Sequence, residues 1–150
     1  MTKTNSIQIA PIALSDLEAL KELGKETFLD SFSWGNTVEN MKLYMNKAFA
    51  DEQLSSEITN PCSEFYFALD NNRPVGYVKI NFEEAQNELK GEQCLELERI
   101  YVRKAYQGNR VGQMLFDKVR EIAEIRNMDF IWLGVWDKNP GAIRFYERNG

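Results

Sequence analysis

Apolar positions fall first in a short run, residues 7–12, whose length and composition suit an opening strand. Leu17, Leu20, Leu23 and the pair Thr27-Phe28 then recur at helical spacing, and Ser15 with Glu18 has the form of a capping box at that helix's start. Val38, Met41, Met45 and Ala48 set out a second helix from Thr37. A shorter helix is expected from Asp51, ending before Asn60-Pro61, because a residue preceding proline avoids the helical region. Residues 65–69 and 75–82 are apolar runs flanking Asp70-Asn71-Asn72-Arg73-Pro74, the pattern of a hairpin. A polar stretch, 83–93, reads as a loop.

The run LELERIYV from Leu95 to Val102 carries a change of phase. Leu95 and Leu97 share one face, whereas Ile100 and Val102 fall on the other, because strand side chains alternate with a period of two. One extra residue in the strand, a β-bulge at Glu98-Arg99, produces such a slip and leaves backbone groups unpaired. After a short turn comes Gln107-Gly108-Asn109-Arg110-Val111-Gly112, and from Val111 the residues Leu115, Val119, Ile122 and Ala123 mark one face of an amphipathic helix. A strand that leads through small residues into a helix start brings backbone amides and the positive end of the helix dipole to one place, which suits a phosphorylated ligand. Residues 130–136 are apolar on both faces, as a central, nearly parallel strand should be. Asn139-Pro140 opens a last helix, with proline in its tolerated first turn, and Asn149-Gly150 supplies a stop signal.

Composition narrows the function classes. A chain of 150 residues with 43% hydrophobic positions suits a single domain spanning 1–150 with one proper core. Its 18 basic and 23 acidic residues give a formal charge of −5, so the basic footprint of nucleic-acid binding is missing and a cationic small molecule is the favoured partner. Histidine is absent, which excludes His-based triads and most zinc sites, and Cys62 and Cys94 form neither a metal spacing nor a disulfide framework. No metal is expected. The first twenty residues lack a secretory apolar core and no run is long enough to span a membrane, so a cytoplasmic location is the default expectation.

Residues 95–113 resemble the acyl-CoA-binding motif of the GCN5-related N-acetyltransferases, the GNAT superfamily, in which Gln/Arg-x-x-Gly-x-Gly/Ala follows a bulged strand. Gln107, Gly108, Asn109, Val111 and Gly112 follow that pattern, while Arg110 stands where the family usually has glycine. An arginine there is expected to offer its amide in helical geometry, with its guanidinium available to a phosphate. The resemblance implies an α/β GNAT fold: a mixed, mostly antiparallel sheet with a bulged, splayed fourth strand, flanked by helices. It also implies acetyl-CoA as cosubstrate. Ile100, Tyr101 and Val102 would make main-chain bonds to its pantetheine, and Gly108, Asn109, Arg110, Val111, Gly112 and Gln113 would cradle its pyrophosphate. The family continues past its last helix with at least one more strand, and here nothing follows Gly150. The expectation is therefore either a truncated chain or an open sheet edge that another chain covers, as in a homodimer.

A second family signature, a strand, an asparagine and a helix ending in a Phe-Tyr run, is matched by Asn139 and Phe145-Tyr146. By similarity Asn139 would bond the pantetheine arm, and Tyr146 would sit near the thioester sulfur. Tyrosine, with a pKa near ~10, stays protonated at neutral pH and can donate to a departing thiolate. An alkylamine acceptor has a pKa near ~10.4, so freeing its lone pair at neutral pH costs roughly 4–5 kcal/mol. Glu98, at the expected bulge, is the candidate to take that proton. Neither cysteine lies in the expected site, which favours direct attack in a ternary complex over a covalent acyl-enzyme.

The segment Thr27-Phe28-Leu29-Asp30-Ser31-Phe32, with Asn36-Thr37 and Tyr44, looks like the N-terminal region of the PaiA-type spermidine/spermine acetyltransferases, and Trp132 to Trp136 before Asn139-Pro140 is similar too. That subgroup implies a polyamine or other small cationic amine as acceptor, with Phe28, Asp30 and Trp136 as substrate-side residues. Acetylation of a protein or peptide amine, and a non-catalytic CoA-binding module, are the rival expectations.

Overall fold

Strands with apolar side chains on both faces need cover on two sides, and the fold supplies it. The computed structural model describes residues 7–32, 37–88 and 93–133. From β1 (Ile7–Pro11) the chain passes through a 3-10 turn at Leu14–Asp16 into α1 (Leu17–Phe32), followed by α2 (Val38–Ala48) and α3 (Asp51–Thr59). A hairpin of β2 (Ser63–Asp70) and β3 (Arg73–Phe82) precedes β4 (Cys94–Val102), α4 (Val111–Ile125) and β5 (Phe130–Trp132). The sheet runs β1-β2-β3-β4-β5 in space. Its first four strands are antiparallel neighbours, and β5 lies parallel to β4. This is the mixed, mostly antiparallel α/β sheet expected from the motifs.

One face is covered by α4, whose Leu115 and Val119 pack on Val78 and Ile80 of β3 and on Leu95 and Leu97 of β4. The other is covered by α1 to α3, where Leu20, Leu23 and Leu54 meet Phe65, Phe67 and Tyr77. A leucine buried this fully contributes about 1.5–3 kcal/mol relative to exposure. A charged side chain admitted to either layer must therefore be fully paired or it cancels several such contacts.

Local sequence signals act with some differences from expectation. The cap ahead of α1 is made by Asp16, whose carboxylate accepts from the Ala13 amide at 2.9 Å, rather than by the Ser15–Glu18 pair. The 3-10 turn moves the chain's entry point one residue forward. The hairpin is tighter than the five-residue loop suggested: Asn71 and Asn72, at φ 49° and 69°, form a two-residue turn of the kind whose twist matches the flanking strands. Pro74 consequently lies inside β3, beside a bulge at Val75 that relieves the ladder of its missing donor. The 83–93 stretch is partly ordered, with a 3-10 turn at Glu83–Ala85 and a buried Gln86 that accepts from the Trp132 indole at 2.7 Å. Of the expected strand 130–136, residues 130–132 are β5; 134–136 and the last helix lie outside the described residues. Among the described residues no helix is long and apolar enough to cross a membrane.

Candidate active site

The register of β3 against β4 locates the bulge. Lys79 lies opposite Arg99 and Ile80 opposite Leu97, so Glu98 is the surplus residue with no partner on β3. The extra residue resets the alternation: Leu95, Leu97, Ile100 and Val102 all join the α4 side of the sheet. Tyr101 turns instead to the α1–α3 layer, and Arg99 reaches α3 itself. The described pairing of β5 with β4 covers Cys94 to Glu96 and stops before the bulge.

A buried polar cluster fills the α1–α3 face around that residue. The Lys79 ammonium donates to Glu98 Oε1 at 2.6 Å, and the Asn81 amide donates to the same oxygen at 2.7 Å and to Glu96 Oε1 at 2.9 Å. Asn87 donates to Glu96 from its backbone and its side chain, at 2.9 and 2.8 Å, and the Ser63 hydroxyl donates to Asn81 Oδ1 at 2.8 Å. Arg99 places two guanidinium nitrogens on the two oxygens of Glu57, at 3.0 and 3.2 Å, a bidentate fork. Its Nη2 is 3.4 Å from Glu98 Oε2, and Lys79 Nζ is 3.7 Å from Glu57 Oε1. Among the described residues no buried side-chain nitrogen or oxygen lacks a partner. Glu57 and Glu98 thus share two cations, Lys79 and Arg99, and Glu96 joins them through the amides of Asn81 and Asn87, so the cluster holds three acidic side chains to two basic ones.

The electrostatics follow from these contacts. Burial alone would push the Glu98 carboxyl up, but Arg99 and Lys79, with the Asn81 and Lys79 hydrogen bonds, outweigh it and hold Glu98 below the usual carboxylate value. Glu98 is therefore an anion at neutral pH. Arg99 stays charged: burial pulls it down, and Tyr77, Glu57 and Glu98 more than restore it. Burial pushes the Tyr101 hydroxyl up to about 12, so it remains a donor throughout the neutral range.

Beyond β4 the chain makes a turn in which Gly108 sits at φ +86° and Arg110 at φ +66°, ψ 14°. Helical geometry was expected at Arg110. The structure instead puts it in the left-handed region, which explains why glycine is the residue the motif prefers there: a side chain at that φ costs ~1–2 kcal/mol. Gln107 braces the turn by donating from Nε2 to the Val102 carbonyl at 3.2 Å. The first intrahelical bond of α4 runs from the Met114 amide to the Arg110 carbonyl, so the helix itself provides no acceptor for the amides of Val111 and Gly112. No acidic residue occupies the first turn of α4. A Cβ at Gly112 would approach Val102 no closer than 3.9 Å, so the fold itself does not require glycine there; the missing side chain leaves the amides open. This set fits a diphosphate, which needs amide donors and a positive helix end without competing carboxylates.

Of Ile100, Tyr101 and Val102, Val102 adjoins the 107–113 turn directly, its carbonyl accepting from Gln107 and its side chain lying beside Gly112. Phe28 stacks on Tyr44 of α2, with ring centroids 4.6 Å apart. Asp30 is exposed near the end of α1 and forms no ion pair with the Glu98 cluster. Trp136, Asn139 and Tyr146 lie outside the described residues. Sequence reasoning missed Glu57, Lys79, Asn81 and Asn87. Lys79 and Asn81 did leave a signal, since they interrupt the apolar run 75–82 at two positions of one strand face.

A family model described as "Acetyltransferase (GNAT) family" matches residues 19–150. An uncharacterized N-acetyltransferase of Lactobacillus delbrueckii subsp. lactis is 35% identical over 144 residues, 96% of this chain and 83% of that protein. A spermidine N(1)-acetyltransferase of Thermoplasma acidophilum is 22% identical over 149 residues, 97% of this chain and 88% of that protein. The PaiA N-acetyltransferase of Thermoplasma acidophilum, solved in complex with coenzyme A, superposes with a TM-score of 0.85 at 22% identity, covering 97% and 89% of the two chains. An aminoglycoside acetyltransferase from a soil metagenome, solved with sisomicin, gives a TM-score of 0.74 at 16% identity over 97% and 88%.

Two outcomes are expected. Arg110→Gly should raise unfolding stability by roughly 0.5–1 kcal/mol, the left-handed strain relieved less the extra freedom of glycine in the unfolded chain; Arg110→Ala should bring no gain. Urea denaturation measures both. Because folding lowers the Glu98 pKa from its ordinary 4.5, its stabilisation is complete above that value and is lost as pH falls through the folded value. The acid limb of a stability–pH curve should accordingly be shallower in Glu98→Gln than in wild type.

Proposed function

Because the chain belongs to the acetyltransferase (GNAT) family and is an acyl-CoA-dependent N-acetyltransferase, we propose that it acetylates a polyamine or other small cationic amine by direct attack in a ternary complex. The observation that carries this reading is the surplus carboxylate of Glu98, held at a strand bulge within a net-negative buried cluster. Such a cluster attracts an ammonium and disfavours a carboxylate-bearing acceptor. A distant relative named as a spermidine N(1)-acetyltransferase and the CoA-bound structural neighbour support the same assignment.

Acetyl-CoA supplies an activated acetyl thioester. In this reading the amides of Val111 and Gly112, with the turn Gln107 to Gln113, hold its diphosphate, and the main chain of Ile100 to Val102 holds its pantetheine. Asn139 adds a side-chain bond to that arm. Glu98 draws in the acceptor ammonium by charge. Its acidity is far greater than that of an alkylammonium, so it does not strip the proton from the free ammonium. The small fraction of acceptor in the neutral amine form is the nucleophile: its lone pair forms the bond to carbon, and Glu98 takes, directly or through water, the proton that the nitrogen then sheds as it loses its basicity. Backbone amides beside the bulge are fixed donors for charge developing on the carbonyl oxygen. Tyr146 donates a proton to the leaving sulfur. Phe28 and Trp136 line the acceptor's methylenes, and Asp30 offers a second, outer anion.

The test is thiol release from acetyl-CoA with spermidine, peptides and aminoglycosides as acceptors. Spermidine should be turned over, and Glu98→Gln should lower kcat about 10²-fold with the Kd for CoA unchanged. Tyr146→Phe should lower kcat in the same way. Binding of CoA without thiol release in the presence of any of these amines would defeat the enzymatic reading, and a preference for peptides would defeat the polyamine one.

A further inference from the structure

Glu98 has two carboxylate oxygens in unlike surroundings. Oε1 accepts from Lys79 and Asn81 at 2.6 and 2.7 Å, which uses its two lone-pair directions. Among the described residues, Oε2 has only the Arg99 guanidinium as a polar neighbour, at 3.4 Å, beyond a charge-assisted bond. What keeps that guanidinium off Oε2 is Glu57. The α3 carboxylate takes Nη1 and Nη2 at 3.0 and 3.2 Å, so the fork of Arg99 is turned toward α3 and away from its own strand neighbour. The side chains of Glu57 and Arg99 are 11% and 16% exposed and that of Glu98 is 23% exposed, so the competition is settled largely inside the protein while Glu98 keeps some access to the outside.

We infer that Glu57 is a positioning residue for acetyl transfer: by holding Arg99 bidentately it reserves Glu98 Oε2 for the acceptor amine. The inference rests on the reading that Glu98 receives the acceptor's proton. Without the Glu57 charge, a shift of about 0.5 Å would give Arg99 a normal charge-assisted bond to Oε2. Both oxygens of Glu98 would then be occupied by protein donors, and none would be left for the substrate. Glu57 lies 42 residues from Arg99 in sequence and belongs to a helix that contributes nothing to the CoA-side motif. It acts on the amine half of the reaction alone.

Steady-state kinetics with acetyl-CoA and spermidine test this on wild type, Glu57→Gln, Glu57→Gln/Arg99→Gln and Glu98→Gln. Glu57→Gln should lower kcat at least about tenfold while the KM for acetyl-CoA stays within about twofold. Removing the competitor as well should rescue it: the double variant should return to within about threefold of wild-type kcat. A Glu57→Gln enzyme at wild-type kcat, or a double variant as slow as or slower than the single one, overturns the inference, because a merely structural ion pair gives no rescue. Glu98→Gln at wild-type kcat would instead overturn the proton-acceptor reading itself. A slow Glu98→Gln beside an unaffected Glu57→Gln would leave that reading standing and sink only the role of Glu57. If Glu57→Gln alone does not fold, as judged by circular dichroism, the double variant decides, since it leaves neither member of the Glu57–Arg99 pair charged. Near-wild-type kcat there supports the inference, and a loss above about tenfold overturns it.

Discussion

A single surplus residue in β4 governs both layers of this protein. Were Glu98 paired like its neighbours, every side chain after it would change face, because strand alternation admits no intermediate. Ile100 and Val102 would then meet the polar cluster, and Arg99 would be driven into the leucine-rich layer beneath α4. An unpaired ion in such a layer costs several kcal/mol, more than any one apolar contact there returns. The bulge is thus a structural necessity of this sequence as well as the point at which its buried charges gather. It lets an apolar row serve α4 on one side while a charged row serves α3 on the other.

The two sides of that strand end have opposite electrostatic character. Toward α4 stand a helix N-terminus, a first turn without acidic residues and a glycine that clears the amides. Toward α3 stand Glu57 and Glu98 on two cations with Glu96 beside them, and every buried side-chain nitrogen and oxygen among the described residues is satisfied. An anionic group is welcome on the first side and a cationic one on the second. This division of charge across one backbone underlies the proposal of a coenzyme donor and an amine acceptor meeting at the bulge.

What was legible in the sequence was whatever depends on near neighbours. The phase slip between Leu97 and Ile100 announced the bulge, the spacing of Leu115 to Ala123 announced α4, and Pro61 marked the end of α3 at Thr59. Arg110 was harder, because its left-handed φ is imposed by how the turn must enter α4 and nothing in its side chain encodes that. Glu57 was invisible as a site residue: on its helix it is one acidic residue among several, and only the packing of α3 against β2, which brings its side chain within reach of β4, gives it Arg99. Asn87 was read as part of a polar loop, yet its amides hold Glu96. The cap of α1 fell to Asp16 because the helix is entered through a 3-10 turn, a choice that Ser15 and Asp16 leave open locally.

The proposed chemistry requires the bulged end of β4 and the start of α4 to form one coenzyme site. A titration of 15N-labelled protein with CoA, followed through its backbone amide resonances, tests this most directly. The largest shifts should fall on residues 100–102 and 108–113, with Val111 and Gly112 foremost. Saturable shifts confined to other parts of the molecule, with those amides unmoved, would contradict it.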